Sequence, residues 1–170
     1  DSIYHEHLCY FSIKSISHLL GIYDLFPFHL DISPISGGSY VLYFSKKKYT
    51  QSDAYEHLIE KEGSLGVNEV QAWRNFADLS YEHRKKTVEI VDSLSSKTVL
   101  GFGASARSST YLNFCGLDVD HMVAIIDNNP MKQGMYSPGT AIPIVPFDKG
   151  IEMSPDLIFV LAWNFRDEIV

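Results

Sequence analysis

The chain has 170 residues, a formal net charge of -7, 45% apolar residues and 13% aromatic ones. That is enough apolar material to bury a core as one domain with a short appendage, which excludes a disordered chain. The negative balance argues against nucleic acid, because phosphate contacts need clustered Lys and Arg. The basic runs Lys46-Lys47-Lys48 and His83-Arg84-Lys85-Lys86 read instead as solvated faces.

Two cysteines, Cys9 and Cys115, stand far apart in unlike contexts. They fit reduced cytoplasmic thiols better than a disulfide framework, and alone they cannot build a structural zinc site. Nothing resembles a signal peptide, and no apolar run approaches the roughly 18 residues of a membrane span. A soluble, cytoplasmic protein is expected.

The first informative stretch is Tyr4-His5-Glu6-His7-Leu8-Cys9-Tyr10-Phe11, where two imidazoles, a carboxylate and phenols crowd into one run. Such a set suits proton transfer. The run begins four residues from a start that lacks Met, which reads as a piece of a longer protein holding part of an active site. From Ser12 to Leu20, Ile13, Ile16, Leu19 and Leu20 recur at helical spacing behind a Ser able to cap the first turn, and Gly21 offers a stop. Residues 23–32 and 39–45 are rich in β-branched and aromatic types and are separated by Pro34 and Gly37-Gly38, the pattern of a hairpin-like strand pair. Ser52 to Lys61 predicts a short helix. Val67 to Leu94 predicts a long one, with Val70, Trp73, Phe76, Ala77, Val88, Val91 and Leu94 near one face.

The rhythm changes at Lys97. Thr98 to Phe102 is a short apolar strand run, Ser105 to Phe114 can be helical, and Met122 to Ile126 is a second strand ending in Asp127. Asp156 to Ala162 supplies another strand, whose continuous apolar run Leu157 to Leu161 suits a parallel strand covered on both faces. The expected fold is therefore α/β: a Rossmann-like parallel sheet with helices over residues 97–170. Residues 1–96 precede it with helices and a small antiparallel strand pair.

Gly101-Phe102-Gly103-Ala104-Ser105-Ala106 has the G-x-G-x-x-A form after a strand and before a helix. Missing Cβ atoms let such a backbone turn tightly and approach a ligand, and the helix start presents N–H groups to an anion. Ser105, Ser108, Ser109 and Thr110, with Arg107 among them, add donors suited to a phosphate, and Asp127 lies where a ribose-binding acid would fall. The same residues also serve a tight turn that holds nothing, since a lone glycine pattern is weak. Residues 127–134 and 136–140 are too polar and too rich in Pro and Gly for regular structure. They follow the C-terminal end of a parallel strand, where open α/β sheets bind ligands. Trp163-Asn164 follows the last strand at the same edge; Asn164 suits a base or sugar hydroxyl, or a helix cap.

In order, Tyr-His-Glu-His-Leu-Cys-Tyr-Phe-Ser (4–12), Gly-Gly-Ser (37–39), Gly-Phe-Gly-Ala-Ser-Ala-Arg (101–107), Thr-Tyr-Leu-Asn-Phe-Cys-Gly (110–116), Asp-Asn-Asn-Pro-Met-Lys-Gln-Gly (127–134), Tyr-Ser-Pro-Gly-Thr (136–140) and Trp-Asn-Phe (163–165) together resemble the C-terminal domain of SAM-dependent sugar C-methyltransferases. The resemblance spans nearly the whole chain. It implies action on nucleotide-linked 4-keto deoxysugars, with a zinc-binding domain and a SAM-binding domain upstream of this portion. SAM would then be held mainly by that upstream domain, and no metal by this chain.

On the same resemblance, His7 is the first choice as general base, Glu6 orients it or competes for the role, and Tyr4 donates a hydrogen bond to the sugar. A histidine needs no large shift to act near neutrality. His5 is read as flanking a junction. The nucleotide diphosphate would rest on Gly101, Gly103, Ala104, Ser105, Arg107, Ser109 and Thr110, with Asp127, Lys132, Tyr136 and Asn164 as further nucleotide or sugar contacts. The chain departs from the family pattern at Ser36, where His often precedes Gly-Gly-Ser. It departs again at Arg107-Ser108-Ser109, where Lys-Gly-Asn is common; Arg and Lys present donors differently, which leaves the phosphate geometry and the substrate open. The alternative is a Rossmann-like NAD(P)-binding module or dehydrogenase fragment using Gly101, Gly103 and Asp127. It lacks a third glycine and has no need of the histidine run. SAM binding by this chain itself is weaker still, since no acidic residue precedes Gly101.

Overall fold

The computed structural model describes residues 7–34 and 38–169. They fall into two compact units, one from His7 to Leu79 and one from Ser80 onward. Tyr4, His5 and Glu6 of the histidine run, and Ser36 and Gly37 of the inter-strand turn, lie outside the described residues.

In the first unit, α1 (Ile13–Gly21) starts where Ser12 predicts. Its hydroxyl accepts from Ser15 N–H, and Ser15 returns the contact to the Ser12 N–H. The strand pair is β1 (Phe26–Ser33) and β2 (Ser39–Ser45), antiparallel, with Leu30 opposite Leu42. The register slips between Pro27 and His29, as expected where a proline has no N–H to give the ladder. Helix α2 (Asp53–Ser64) is capped by Ser52, and Asp53 and Glu56 in its first turn suit the positive end of the helix dipole. Ile13, Leu30, Tyr55 and Leu58 form the core of this unit, with Leu42 packed against it. Ile13 from α1, Leu30 from β1, and Tyr55 and Leu58 from α2 therefore hold these elements together.

The long helix α3 (Val70–Asp92) runs across the division between the units. Its expected apolar stripe has two fates. Val91 lies in the core of the second unit with Val88 and Leu94 against it, whereas Val70, Trp73 and Phe76 are exposed. Periodicity dictates which residues share a face, not whether anything covers it. The Trp73 indole still finds a partner, donating to the Val67 carbonyl at 2.8 Å, with its ring edge-on to Phe76.

The second unit is built on a four-stranded parallel sheet in the order β5-β4-β3-β6: β3 (Val99–Phe102), β4 (Ala124–Ile126), β5 (Ile144–Val145) and β6 (Leu157–Val160). Val99 and Ile125 belong to one core cluster, with Leu112 and Cys115 of α4 (Ala106–Cys115). Leu100, Ala124 and Ile126 belong to another. Burial on both faces is what the continuous apolar runs predict. Helix α5 (Phe147–Glu152) approaches so closely that a Cβ on Gly150 would strike the Ile126 side chain. Strand β5 and helix α5 were not expected: two residues between Pro143 and Pro146 are too short for any periodic signal. After β6 come a single 3-10 turn (Trp163–Phe165) and α6 (Arg166–Ile169).

Helices α3 and α4 are also joined by polar groups. The Tyr111 hydroxyl lies 2.7 Å from Thr87 Oγ1 and 2.9 Å from His83 Nε2, and burial pushes both Tyr111 and its neighbour Cys115 up from their ordinary pKa values. Cys9 is exposed and Cys115 buried, and both are free thiols. Among the described residues no helix is long and apolar enough to cross a membrane.

Candidate functional site

The strand order fixes where a ligand site can form. The chain steps outward from β3 to β4 to β5 and then returns to the far edge of β3 for β6, so connections diverge at the C-terminal ends of β3 and β6. Gly103 sits there at φ +94°, with Ala162 Cβ 2.5 Å from where its own Cβ would stand. Gly101 is equally confined, its missing Cβ lying 2.7 Å from Leu161 Cδ1 and 3.1 Å from Ile125 Cγ1. Packing around the end of β3 thus gives both glycines of the motif a role of their own, Gly103 against Ala162 and Gly101 against the Leu161 and Ile125 side chains.

The open space lies beside it, between the start of α4 and the loop after β4. This cavity of about 620 Å³ is lined by Ala104, Ser105, Ser109 and Thr110 from one side and by Lys132 and Tyr136 from the other. With Ser108, which also lines it, seven of the residues singled out in the sequence therefore meet around one cavity. Arg107, Asp127 and Asn164 are not among its lining residues, and Gly101 and Gly103 lie in the strand and turn that lead to it.

The start of α4 is heavily capped. Ser105 Oγ accepts from Ser108 N–H at 3.1 Å, while Ser108 Oγ accepts from Ser105 N–H at 3.2 Å and donates to the Gly103 carbonyl at 2.6 Å. Ser109 and Thr110 donate to the carbonyls of Ser105 and Ala106. Ser108, Ser109 and Thr110 thus place their hydroxyl protons within the turn. Donors for an anion come instead from the N–H groups of Ala106 and Arg107, which helix geometry leaves without an intrahelical acceptor.

Asp127 fastens the turn from below. Its Oδ2 accepts from Ala104 N–H at 2.8 Å and from Lys132 Nζ at 3.1 Å, and its Oδ1 accepts from Asn129 N–H at 2.9 Å. Lys132 Nζ also donates to the Ala104 carbonyl at 2.8 Å. The side chain of Asp127 is only 11% exposed. These contacts join the glycine turn to the loop after β4, which is more ordered than its composition suggests. Tyr136 bridges to Pro143, and the buried Ser137 and Thr140 hydroxyls bond each other.

Sequence reasoning missed Asn113. Its Nδ2 donates to the carbonyls of Ser109 and Pro138 at 2.8 and 2.9 Å, closing the cavity wall between α4 and the loop. A Cβ on Gly139 would strike its amide, so Gly139 at φ +77° is required twice over. Both residues lie in stretches quoted for the family resemblance, but nothing in either stretch alone pairs them.

His7, half-buried, is in the first unit, with its ring edge-on to Tyr10 at 6.5 Å, while the cavity is in the second. Tyr4 and Glu6 lie outside the described residues. Among the described residues no group of three or more His, Cys, Asp or Glu is placed to hold a metal.

A parallel sheet with a cavity at the C-terminal ends of its strands is a Rossmann-like arrangement. A family model described as C-methyltransferase C-terminal domain matches residues 34–170, and the chain belongs to that family. It is also 32% identical, over its whole length, to C-methyltransferase NovU of Streptomyces niveus, of which it spans 41%.

Proposed function

We propose that this domain binds the substrate and supplies the base in a SAM-dependent methyl transfer to carbon. The carbon is the one beside the ketone of a nucleotide-linked 4-keto deoxysugar. The observation that carries the reading is the cavity at the start of α4, where residues from separate family-like stretches converge. The N–H groups of Ala106 and Arg107 suit a diphosphate, the exposed Tyr136 ring suits a base or sugar, and Lys132 adds positive charge at the rim. Arg107 and Asn164 are further contacts from the same edge.

A carbon beside a ketone becomes nucleophilic once its proton is removed, so the reaction needs a base there and a donor toward the enolate oxygen. His7 takes the proton, Glu6 orients it and Tyr4 donates to the sugar. SAM, held by the upstream part of the polypeptide, supplies an electrophilic methyl group on sulfonium. Asp127 counts against the dinucleotide-module alternative, because its carboxylate already accepts from Ala104, Asn129 and Lys132.

His7→Gln in the full polypeptide should abolish deuterium exchange from D2O at the carbon beside the ketone while nucleotide affinity stays near the original. Lost affinity with unchanged exchange per bound complex would contradict the assignment.

A further inference from the structure

The start of α1 is held from a distance. Ile13 N–H donates to both carboxylate oxygens of Glu62, at 3.0 and 2.9 Å, and Ser12 Oγ donates to Asn68 Oδ1 at 2.7 Å. Glu62 comes from α2 and is buried at 8% exposure; Asn68 comes from the turn between α2 and α3. The local capping box of Ser12 and Ser15 already serves the first turn of the helix. Burying a carboxylate is costly, and a short helix start does not demand it. Ile13 at 2% exposure and the contact between Ser17 and Tyr55 fix the rest of α1 to the same core.

What this anchoring controls is the segment in front of it. Residues 7–12 form neither helix nor strand, and His7 lies five residues before Ser12. Five residues span at most roughly 18 Å, so the position of Ser12 and Ile13 sets the reach of the histidine. A general base must come within about 3 Å of the proton it takes, and a misplacement of about 1 Å can cost on the order of a hundredfold in rate. We propose that Glu62 and Asn68 are positioning residues that fix His7 for proton transfer by clamping the start of α1. This rests on the assignment of His7 as the base.

The clamp makes a specific demand on chemistry. Gln at position 62 keeps the shape and one acceptor for Ile13 N–H but removes the charge that makes the bond strong and favours it at a helix N-terminus. At position 68 only an acceptor is needed, so Asp there serves and Ala does not.

The test measures methyl transfer from SAM by the full polypeptide, with dTDP-4-keto-6-deoxyglucose as probe, for His7→Gln, Glu62→Gln, Asn68→Ala and Asn68→Asp. Glu62→Gln and Asn68→Ala should lower kcat about tenfold or more, with KM within about twofold of the original. Asn68→Asp should stay near the original. Turnover per folded molecule unchanged in both Glu62→Gln and Asn68→Ala, or a raised KM with kcat intact, overturns the proposal. If Glu62→Gln fails to fold, Asn68→Ala at an exposed contact decides alone. Full turnover in His7→Gln would overturn the base assignment and this proposal with it. Loss in His7→Gln beside intact Glu62→Gln and Asn68→Ala overturns the positioning role only.

Discussion

Gly103→Ala tests the architecture under the cavity. The residue holds φ +94°, which alone costs an L-residue roughly 1–2 kcal/mol. The new methyl would stand 2.5 Å from Ala162 Cβ and 3.3 Å from the Ala162 nitrogen, where backbone must yield, and overpacking of this kind adds about 1–3 kcal/mol. The sum, about 2–5 kcal/mol, is large against the roughly 5–15 kcal/mol that keep a domain folded. At about 2–4 °C per kcal/mol for a chain of this size, Tm should fall by roughly 10 °C in differential scanning calorimetry. Gly134→Ala is the control: φ is +81°, but nothing lies within 4 Å of the added carbon, so only the backbone cost of roughly 1–2 kcal/mol applies. The double variant Gly103→Ala with Ala162→Gly should recover part of the steric share. If Gly103→Ala costs no more than Gly134→Ala, and Ala162→Gly recovers nothing, the close approach of β3 to the turn after β6 is not there.

Asp127→Asn should lower stability by about 1–3 kcal/mol in chemical denaturation, because a largely buried carboxylate with three donors is replaced by a group that must turn N–H toward one of them. A rim ligand for ribose would leave stability unchanged. Asp156 accepts from Thr98 N–H at 2.8 Å, which holds its carboxyl below the usual carboxylate range, with Lys97 adding to the effect. A depressed folded pKa means its contribution is present above about pH 4 and is lost as pH falls through the folded value. Asp156→Asn should therefore flatten the fall of Tm on acidification below that pH; an unaltered acid limb would contradict this.

How much was legible in the sequence depended on whether cause and effect were neighbours in the chain. Ser12 and Ser105 announce their helices because an N-cap acts within three residues, and both close capping boxes. Val99 to Phe102 and Leu157 to Val160 announce a parallel sheet because burial on both faces leaves an unbroken apolar run. Ile144-Val145 could not, since two residues carry no period. The expected phosphate-binding stretch does line a cavity, yet the two glycines that drew attention to it answer to Leu161, Ile125 and Ala162. Those partners come from other strands and turns and leave no local mark. The same holds for Asn113 on Pro138 and for Glu62 on Ile13: partners tens of residues apart become visible only when the fold joins them.

The most direct test of the substrate-domain reading is titration calorimetry of this chain against dTDP, NAD and SAM in turn. The account predicts heat from dTDP, lost when Ala106 is replaced by Pro at the start of α4, and none from NAD or SAM. Binding of NAD without dTDP would contradict it and restore the dinucleotide-binding alternative.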